Sequence, residues 1–233
     1  MKDKKDLNVI QIRIFEVDSI PYDYLMRPDF IEHIKSEFRF QKHEMPIEPY
    51  PKNQPRILLF VGGEVTIGKE KIIIQKLLFE NRRILIDGMS DSSRLDKVFE
   101  IIGKEIAKFD PTGNFSHDDV VFKTEETNCL VHLNVDFKKF FSQKFWGFVS
   151  KDAPSFLTER VMAIVPKNLS FELHFDPKNE YAEKHNITLS PKTLTIEPRV
   201  GVSIDKRIFY TQSPYDSTTH FRLLEAFEER FTD

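Results

Sequence analysis

Two segments of the chain place histidine and carboxylate side chains at alternate positions, the spacing that one face of a β-strand presents. They carry His132, Asn134 and Asp136 in the first segment and Glu172, His174 and Asp176 in the second. Imidazoles and carboxylates bind divalent metals and transfer protons, so adjacent strands would build a metal or acid–base site. The alternative is ordinary polar alternation on a half-solvated antiparallel strand.

The same region has the outline of a metal-dependent nuclease. Asp118 or Asp119 would hold Mg²⁺ with Asp136, and Lys138 would steady the attacking water or the phosphate. The competing interpretation is that Asp136 caps a helix and Lys138 is solvated. His132, Asp136, Lys138 and His174 are therefore catalytic candidates only, and we expect no metal and no cofactor.

Residues 63–70 read Gly-Glu-Val-Thr-Ile-Gly-Lys-Glu, which has the spacing of a phosphate-binding loop. Glu70 stands where a serine or threonine should bind Mg²⁺, so a negative charge would lie beside the phosphates. The pattern therefore favours a turn between two strands.

A phenylalanine-rich segment at 137–149 is the strongest candidate for an interaction surface. A helix there would align Phe137, Phe141, Phe145 and Phe148 in one stripe, with Phe140 and Trp146 beside it. Aromatic side chains dominate the energetics of many interfaces. The alternative is a helix buried on more than one side.

The elements that would carry these residues follow from apolar periodicity. A strand over 8–17, with Ile10, Ile12 and Ile14 on one face, precedes a helix over 28–39. Four β-rich segments (56–61, 64–67, 71–80 and 83–87) then lead to a helix over 93–109. After a linker at 110–118, we predict strands over 128–136, 160–165, 169–176, 187–197 and 200–211, and helices over 137–149 and 217–231.

The second series of elements resembles the first. The apolar positions of residues 65–74 coincide with those of 187–196, and a strand, a Ser/Asp-rich cap and an amphipathic helix follow in each case. We predict an α+β fold made of two similar β-α-β-β-β-α halves, residues 1–112 and 113–233, with helices on one face of an antiparallel sheet. Whether the halves share one sheet stays open.

Two basic pairs fall at equivalent turns of this proposed repeat. They are Arg82-Arg83 and Lys206-Arg207, which a pseudo-twofold axis would present as two tips able to grip a phosphate backbone. Basic residues are also common at exposed turns.

Composition limits the function classes. The 233 residues carry 34 Lys+Arg against 37 Asp+Glu, and this balance argues against broad electrostatic binding of nucleic acid. The single cysteine, Cys129, excludes an internal disulfide and is predicted to be buried. No apolar run reaches membrane-spanning length and no signal peptide is visible, so we expect a cytoplasmic protein. The 22 Phe residues suit dry cores and dry interfaces.

We therefore predict a non-enzymatic protein that binds a protein partner, or assembles with itself, through Phe140, Phe141, Phe145 and Trp146. The alternative is a nucleic-acid-binding or phosphodiester-cleaving protein that uses the basic turns and the His/carboxylate strands.

Overall fold

The computed structural model describes residues 2–45, 57–149, 168–174, 180–188 and 190–232. These residues form a mixed α+β structure with one antiparallel nine-stranded sheet and six α-helices. The strands are β1 Lys2–Phe15, β2 Lys42–Glu44, β3 Leu58–Ile67, β4 Glu70–Phe79, β5 Arg83–Met89, β6 Val120–His132, β7 Leu169–Leu173, β8 Lys192–Pro198 and β9 Ile208–Ser213. The helices are α1 Tyr22–Leu25, α2 Pro28–Glu37, α3 Ser92–Phe109, α4 Gln143–Gly147, α5 Glu180–Lys184 and α6 Ser217–Phe231.

The sheet is built outward from a central antiparallel pair, β1 and β6. Its strand order is β2-β3-β4-β5-β1-β6-β9-β8-β7. Strands from both sides of residue 113 therefore belong to one continuous sheet. The predicted strand over 160–165 lies outside the described residues.

One face of the sheet, here called the helix face, carries Val9, Gln11, Arg13 and Phe15 of β1. Gln11 donates a hydrogen bond to the backbone oxygen of Ser92 in α3 at 3.0 Å. The α2 and α6 helices pack on the same face, through Phe30 against Phe79 and through His220 against Cys129. Ile10, Ile12 and Ile14, the obvious apolar stripe of the sequence, lie half-buried on the opposite face.

Phenylalanine fills much of the interior. Seven Phe side chains are among the largest groups with almost no exposure: Phe15, Phe30, Phe38, Phe60, Phe79, Phe137 and Phe209. One cluster lies between α1–α3 and strands β1 and β3–β5, and a second lies between α6 and strands β6, β8 and β9. Among the described residues, most phenylalanine side chains therefore serve packing, and few of their rings are exposed.

The segment with phosphate-loop spacing is a β-hairpin, as the sequence favours. β3 and β4 pair from Leu58↔Phe79 to Ile67↔Glu70, and Gly68 and Lys69 form a two-residue turn. Gly68 adopts a φ of +64°, which favours glycine at this position. The proposed counterpart at 187–196 is not a hairpin, because β8 begins only at Lys192 and α5 lies between β7 and β8.

The two long helices that follow β5 and β9 begin side by side. Asp91 caps α3 by accepting a hydrogen bond from the N–H of Arg94 at 2.9 Å, and Asp216 caps α6 by accepting from Thr218 and Thr219. The N–H of Ser92 donates to Oγ of Ser217 at 3.0 Å, and the N–H of Ser217 donates to Oγ of Ser92 at 2.9 Å. This reciprocal pair satisfies two helix-terminal donors that would otherwise be buried without partners.

We expect Ser92→Ala and Ser217→Ala each to lower the free energy of unfolding by about 1–3 kcal/mol, because each removes the acceptor of a buried N–H group. Urea denaturation of the purified variants measures the change. Ser93→Ala is the matched control, since this neighbouring serine is exposed and should change stability by less than about 0.5 kcal/mol. Equal losses at positions 92 and 93 would contradict the assigned role.

Candidate functional site

The phenylalanine-rich segment forms two short helical pieces, so the prediction of one helix over 137–149 is wrong. Residues Phe137–Phe140 make a 3-10 turn, and α4 begins at Gln143. Between them, Ser142 has extended backbone, and its hydroxyl accepts a hydrogen bond from the N–H of Phe145 at 3.1 Å. A serine in this conformation is an N-cap that starts a new helix.

The rings of this segment nevertheless form a continuous chain of contacts. Phe141 lies 6.1 Å from Phe137 and stacks on Phe145 at 5.6 Å between ring centroids. Phe140 stacks on Phe227 of α6 at 5.2 Å and meets Phe231 edge-on at 4.8 Å. Phe140 and Phe141 are therefore half-buried against the second core cluster.

Three phenylalanine rings of this segment and of α6 remain exposed: one in α4, one directly after it and one at the end of α6. The exposed fractions are 49% for Phe145, 52% for Phe148 and 46% for Phe231. We call these three residues the aromatic surface. The side chain of Trp146, which the sequence adds to the same patch, lies outside what the structure describes.

The strands that carry the histidine and carboxylate candidates are not neighbours. β9 and β8 lie between β6 and β7, which places the two strands roughly 14 Å apart at the usual strand spacing. His132 is half-buried near the end of β6, whereas His174 is exposed and pairs with Glu172 at 2.9 Å.

The remaining candidates for this site add no metal-binding cluster. Asp136 follows β6 and is half-buried, and Asp176 and the side chain of Lys138 lie outside the described part of the chain. Among the residues that the structure describes, no three His, Cys, Asp or Glu side chains are arranged to hold a metal.

Three of the four basic turn residues bind other parts of the protein. Arg82 donates to the backbone oxygen of Phe15 at 2.7 Å and to the backbone oxygens of His185 and Asn186, which follow α5. Arg83 pairs with Glu80, and Arg207 donates to Oδ1 of Asn134. Only Lys206 is exposed without such a bond in the described structure.

The two basic turns also lie at opposite ends of the sheet. Arg83 is opposite Ile14, near the C-terminal end of β1. The other turn directly precedes Ile208, which pairs with His132 of β6. His132 is in turn opposite Lys2, at the N-terminal end of β1. The length of β1 therefore separates the turns by roughly 40 Å. A nucleic acid that contacts both must span the whole sheet.

A partly buried polar cluster under α3 was not predicted from the sequence. Arg13 donates to Gln11 at 2.9 Å and pairs with Asp96 of α3. Lys123 of β6 bridges the same Asp96 carboxylate at 2.6 Å and Glu125 at 2.9 Å. Two cations and two carboxylates balance one another, so the cluster ties α3 to the central strand pair.

The Arg13 side chain is almost fully covered. Its guanidinium carbon lies 3.8 Å from the centroid of the Phe99 ring. Burial lowers the pKa of Arg13, while the nearby Asp96 and Glu125 carboxylates act in the opposite direction. The sequence signal for this face is the alternation of Val9, Gln11, Arg13 and Phe15. The three isoleucines between them form a more apolar stripe, so the sequence did not predict that the face with Gln11 and Arg13 is the buried one.

Cys129 is buried, as predicted, within a second polar group under α6. Its sulfur lies 3.3 Å from Nε2 of His220, and Nδ1 of the same ring lies 2.6 Å from Oγ of Ser213. Thr211 completes the group at 3.0 Å from Nε2. Because all four residues are at most 1% exposed, no substrate reaches the thiol in this structure.

No protein-family model matches the chain, and no curated protein matches it significantly. Within the described residues, no helix is both long and apolar enough to cross a membrane.

Proposed function

We propose that this protein is a non-enzymatic binding or assembly protein whose aromatic surface contacts a protein partner or a second copy of the chain. The observation that carries the proposal is the half-exposure of Phe145, Phe148 and Phe231. Phe145 and Phe231 are the two exposed ends of one series of ring contacts, and Phe148 follows Phe145 by three residues. Exposed apolar surface costs free energy of about 25 cal/mol per Å² relative to its burial, and a phenylalanine ring has no polar atom that water could hydrate. A partner that covers the rings removes this cost.

Two of the three rings are also held in place by ring contacts before any partner arrives. Phe145 rests on Phe141, and Phe231 rests on Phe140 and Phe227. A rigid aromatic anchor loses little conformational entropy on binding, which favours affinity. In this proposal Phe140 and Phe141 support the surface, and Trp146 extends it on the ground of sequence alone.

The test is the triple variant Phe145→Ser, Phe148→Ser and Phe231→Ser. Hot-spot truncations cost about 2 kcal/mol or more each, so we expect partner affinity or self-association to fall by at least about 100-fold. Sedimentation velocity measures self-association. Affinity capture from the native lysate at low and high salt, followed by titration of the recovered partner, measures heterotypic binding.

Phe171→Ser is the matched control, because Phe171 is equally exposed at 49% but lies on the edge strand β7. The control should keep the partner and the oligomeric state of the wild type. An unchanged complex in the triple variant would overturn the proposal. Cooperative unfolding of that variant would instead assign the three rings to the core.

The alternative proposal, binding or cleavage of nucleic acid, has weaker support. It requires the bound Arg82, Arg83 and Arg207 side chains to leave their protein partners, and it requires one nucleic acid to reach both ends of the sheet. Recovery of nucleic acid that is released at high salt, in place of protein, would favour it.

We further propose that residues 1–112 and 113–233 are duplicated halves working together in the cytoplasm. Support comes from the strand order, since β5, β4 and β3 follow outward from β1 as β9, β8 and β7 follow from β6. The serine exchange between α3 and α6 adds support, because Asp91-Ser92 and Asp216-Ser217 occupy equivalent helix starts.

A further inference from the structure

Within the part of the chain that the structure describes, the sheet has a gap about one strand wide. β9 ends at Ser213, which is opposite Thr127 of β6, and Gln212 is opposite Thr195 of β8. Beyond this point β6 continues through residues 122–126, and β8 extends to Lys192. Because β9 holds its two neighbours roughly 10 Å apart, the space past its end matches the width of a single strand.

The gap exists because the chain leaves the sheet after Ser213. Pro214 has no N–H group to continue the ladder. The backbone oxygen of Tyr215 accepts a hydrogen bond from Oγ1 of Thr127 at 2.7 Å, and Asp216 then caps α6. The sequence Pro214-Tyr215-Asp216 therefore closes one end of the gap and directs the chain away.

The gap contains a cavity of about 280 Å³. Residues 122–125 of β6 all line it. Because successive side chains of a strand point to opposite faces, the cavity contacts both faces of β6 as well as its edge. The lining residues are Phe122, Lys123, Thr124, Glu125, Ser190, Lys192, Pro214, Tyr215 and Asp216. The cavity is therefore bounded by the edge of β6, by the first residue of β8 and by the segment that follows β9, which is where a strand that continued β9 would lie.

We propose that an extended segment of a partner protein binds in this gap as a strand between β6 and β8, in line with β9. Such a strand forms main-chain hydrogen bonds to both edges, and pockets on the two faces select its alternate side chains. The five residues 122–126 of β6 offer a pairing length of roughly 17 Å. The site is separate from the aromatic surface, so its test does not depend on that proposal.

Charge selects the side chains that the segment presents to the helix face. Lys123 and Glu125 are on that face because they are opposite Arg13 and Gln11, and alternation along β8 places Lys192 there too. Lys123 is already paired with Asp96, whereas Lys192 forms no ion pair with any described residue. An acidic residue in the segment would pair with Lys192, and the residues beside it would face Phe122 and be apolar.

The probe is a fluorescein-labelled octapeptide of alternating valine and glutamate, titrated against the full chain by fluorescence anisotropy. A strand held on both edges uses all of its backbone N–H groups. Peptides N-methylated at either the odd or the even positions should therefore bind about tenfold more weakly, since each loses its hydrogen bonds to one of the two edges. Hydrogen exchange should show new protection at residues 122–126 and 192–194.

Lys192→Ala should weaken the acidic peptide about fivefold and leave a valine–threonine peptide unaffected, because a partly exposed ion pair contributes modestly. Lys69→Ala, at an exposed hairpin turn, is the control and should change neither affinity. Equal binding of the methylated peptides, protection elsewhere, or no binding at millimolar peptide would each overturn the proposal. Concentration-dependent protection of the gap without peptide would also overturn it, by showing that a second copy fills the site.

Discussion

Gly63→Ala is expected to destabilise the protein by about 3 kcal/mol or more, because overpacking a rigid core forces the backbone to move. Gly63 is buried in β3, and an alanine Cβ there would lie 2.8 Å from the backbone oxygen of Phe38 and closer still to the ring of Phe40. Phe40 packs in turn on Phe60 at 5.3 Å. The absence of a side chain at position 63 thus lets the chain between α2 and β2 lie directly on the sheet.

Gly147→Ala provides the comparison for this prediction. A Cβ at Gly147 meets nothing within 4 Å, and alanine favours the helical backbone of α4. We expect no loss, or a gain of up to about 1 kcal/mol, in urea denaturation. Similar stability of the two variants would show that the Phe38–Phe40 segment moves away at little cost.

Asp96→Ala is expected to lower the free energy of unfolding by about 2–3 kcal/mol, because it removes the carboxylate that pairs with the almost fully covered Arg13 guanidinium and leaves it only the weaker attraction of more distant carboxylates such as Glu125. The loss of Asp96 affects mainly the Arg13 guanidinium, because water cannot replace the missing carboxylate there. The Arg13 side chain is only 7% exposed, whereas that of Asp96 is 40% exposed. Lys123 also loses a partner, but it retains Glu125. Thermal and urea unfolding measure the loss.

The double variant Arg13→Met and Asp96→Ala separates charge from packing. Methionine fills the space under Phe99 without a charge, so the double variant should be more stable than Asp96→Ala alone. Asp118→Ala is the control, since this side chain is 84% exposed. A double variant less stable than the single one would show that the guanidinium is stabilised without Asp96.

Local periodicity was enough to predict the long helices and most of the strands. α3 and α6 lie where their apolar stripes place them, and the α+β class follows from the same pattern. The orientation of β1 was harder to predict, because both of its faces are partly buried. Its isoleucines are half-covered, and the face that meets α3 carries Gln11 and Arg13, which a simple hydrophobic rule assigns to solvent.

Contacts between distant segments explain what the sequence could not supply. The Arg13–Asp96 pair joins residues 83 positions apart, and the local sequence around one residue does not indicate that the other is its partner. The predicted helix over 137–149 is divided at Ser142 for a local reason. The side chain of Ser142 caps a new helix, although the aromatic residues on both sides have a regular helical spacing. The strands that precede His132 and His174 are not neighbours, because β9 and β8 lie between β6 and β7 in the sheet. Side-chain alternation along a strand does not encode the order of the strands.

The position of β1 at the centre of the sheet constrains the order in which the protein can assemble during synthesis. β1 is made first, yet its neighbours β5 and β6 begin only at Arg83 and Val120. Closing such long loops costs chain entropy before any pairing is gained, which slows folding. Until β6 is complete, one edge of a 14-residue strand has no neighbour in the sheet and can pair with other chains. The nascent chain is therefore exposed to aggregation until β6 is made, and the pairing of β6 with β1 then removes the free edge.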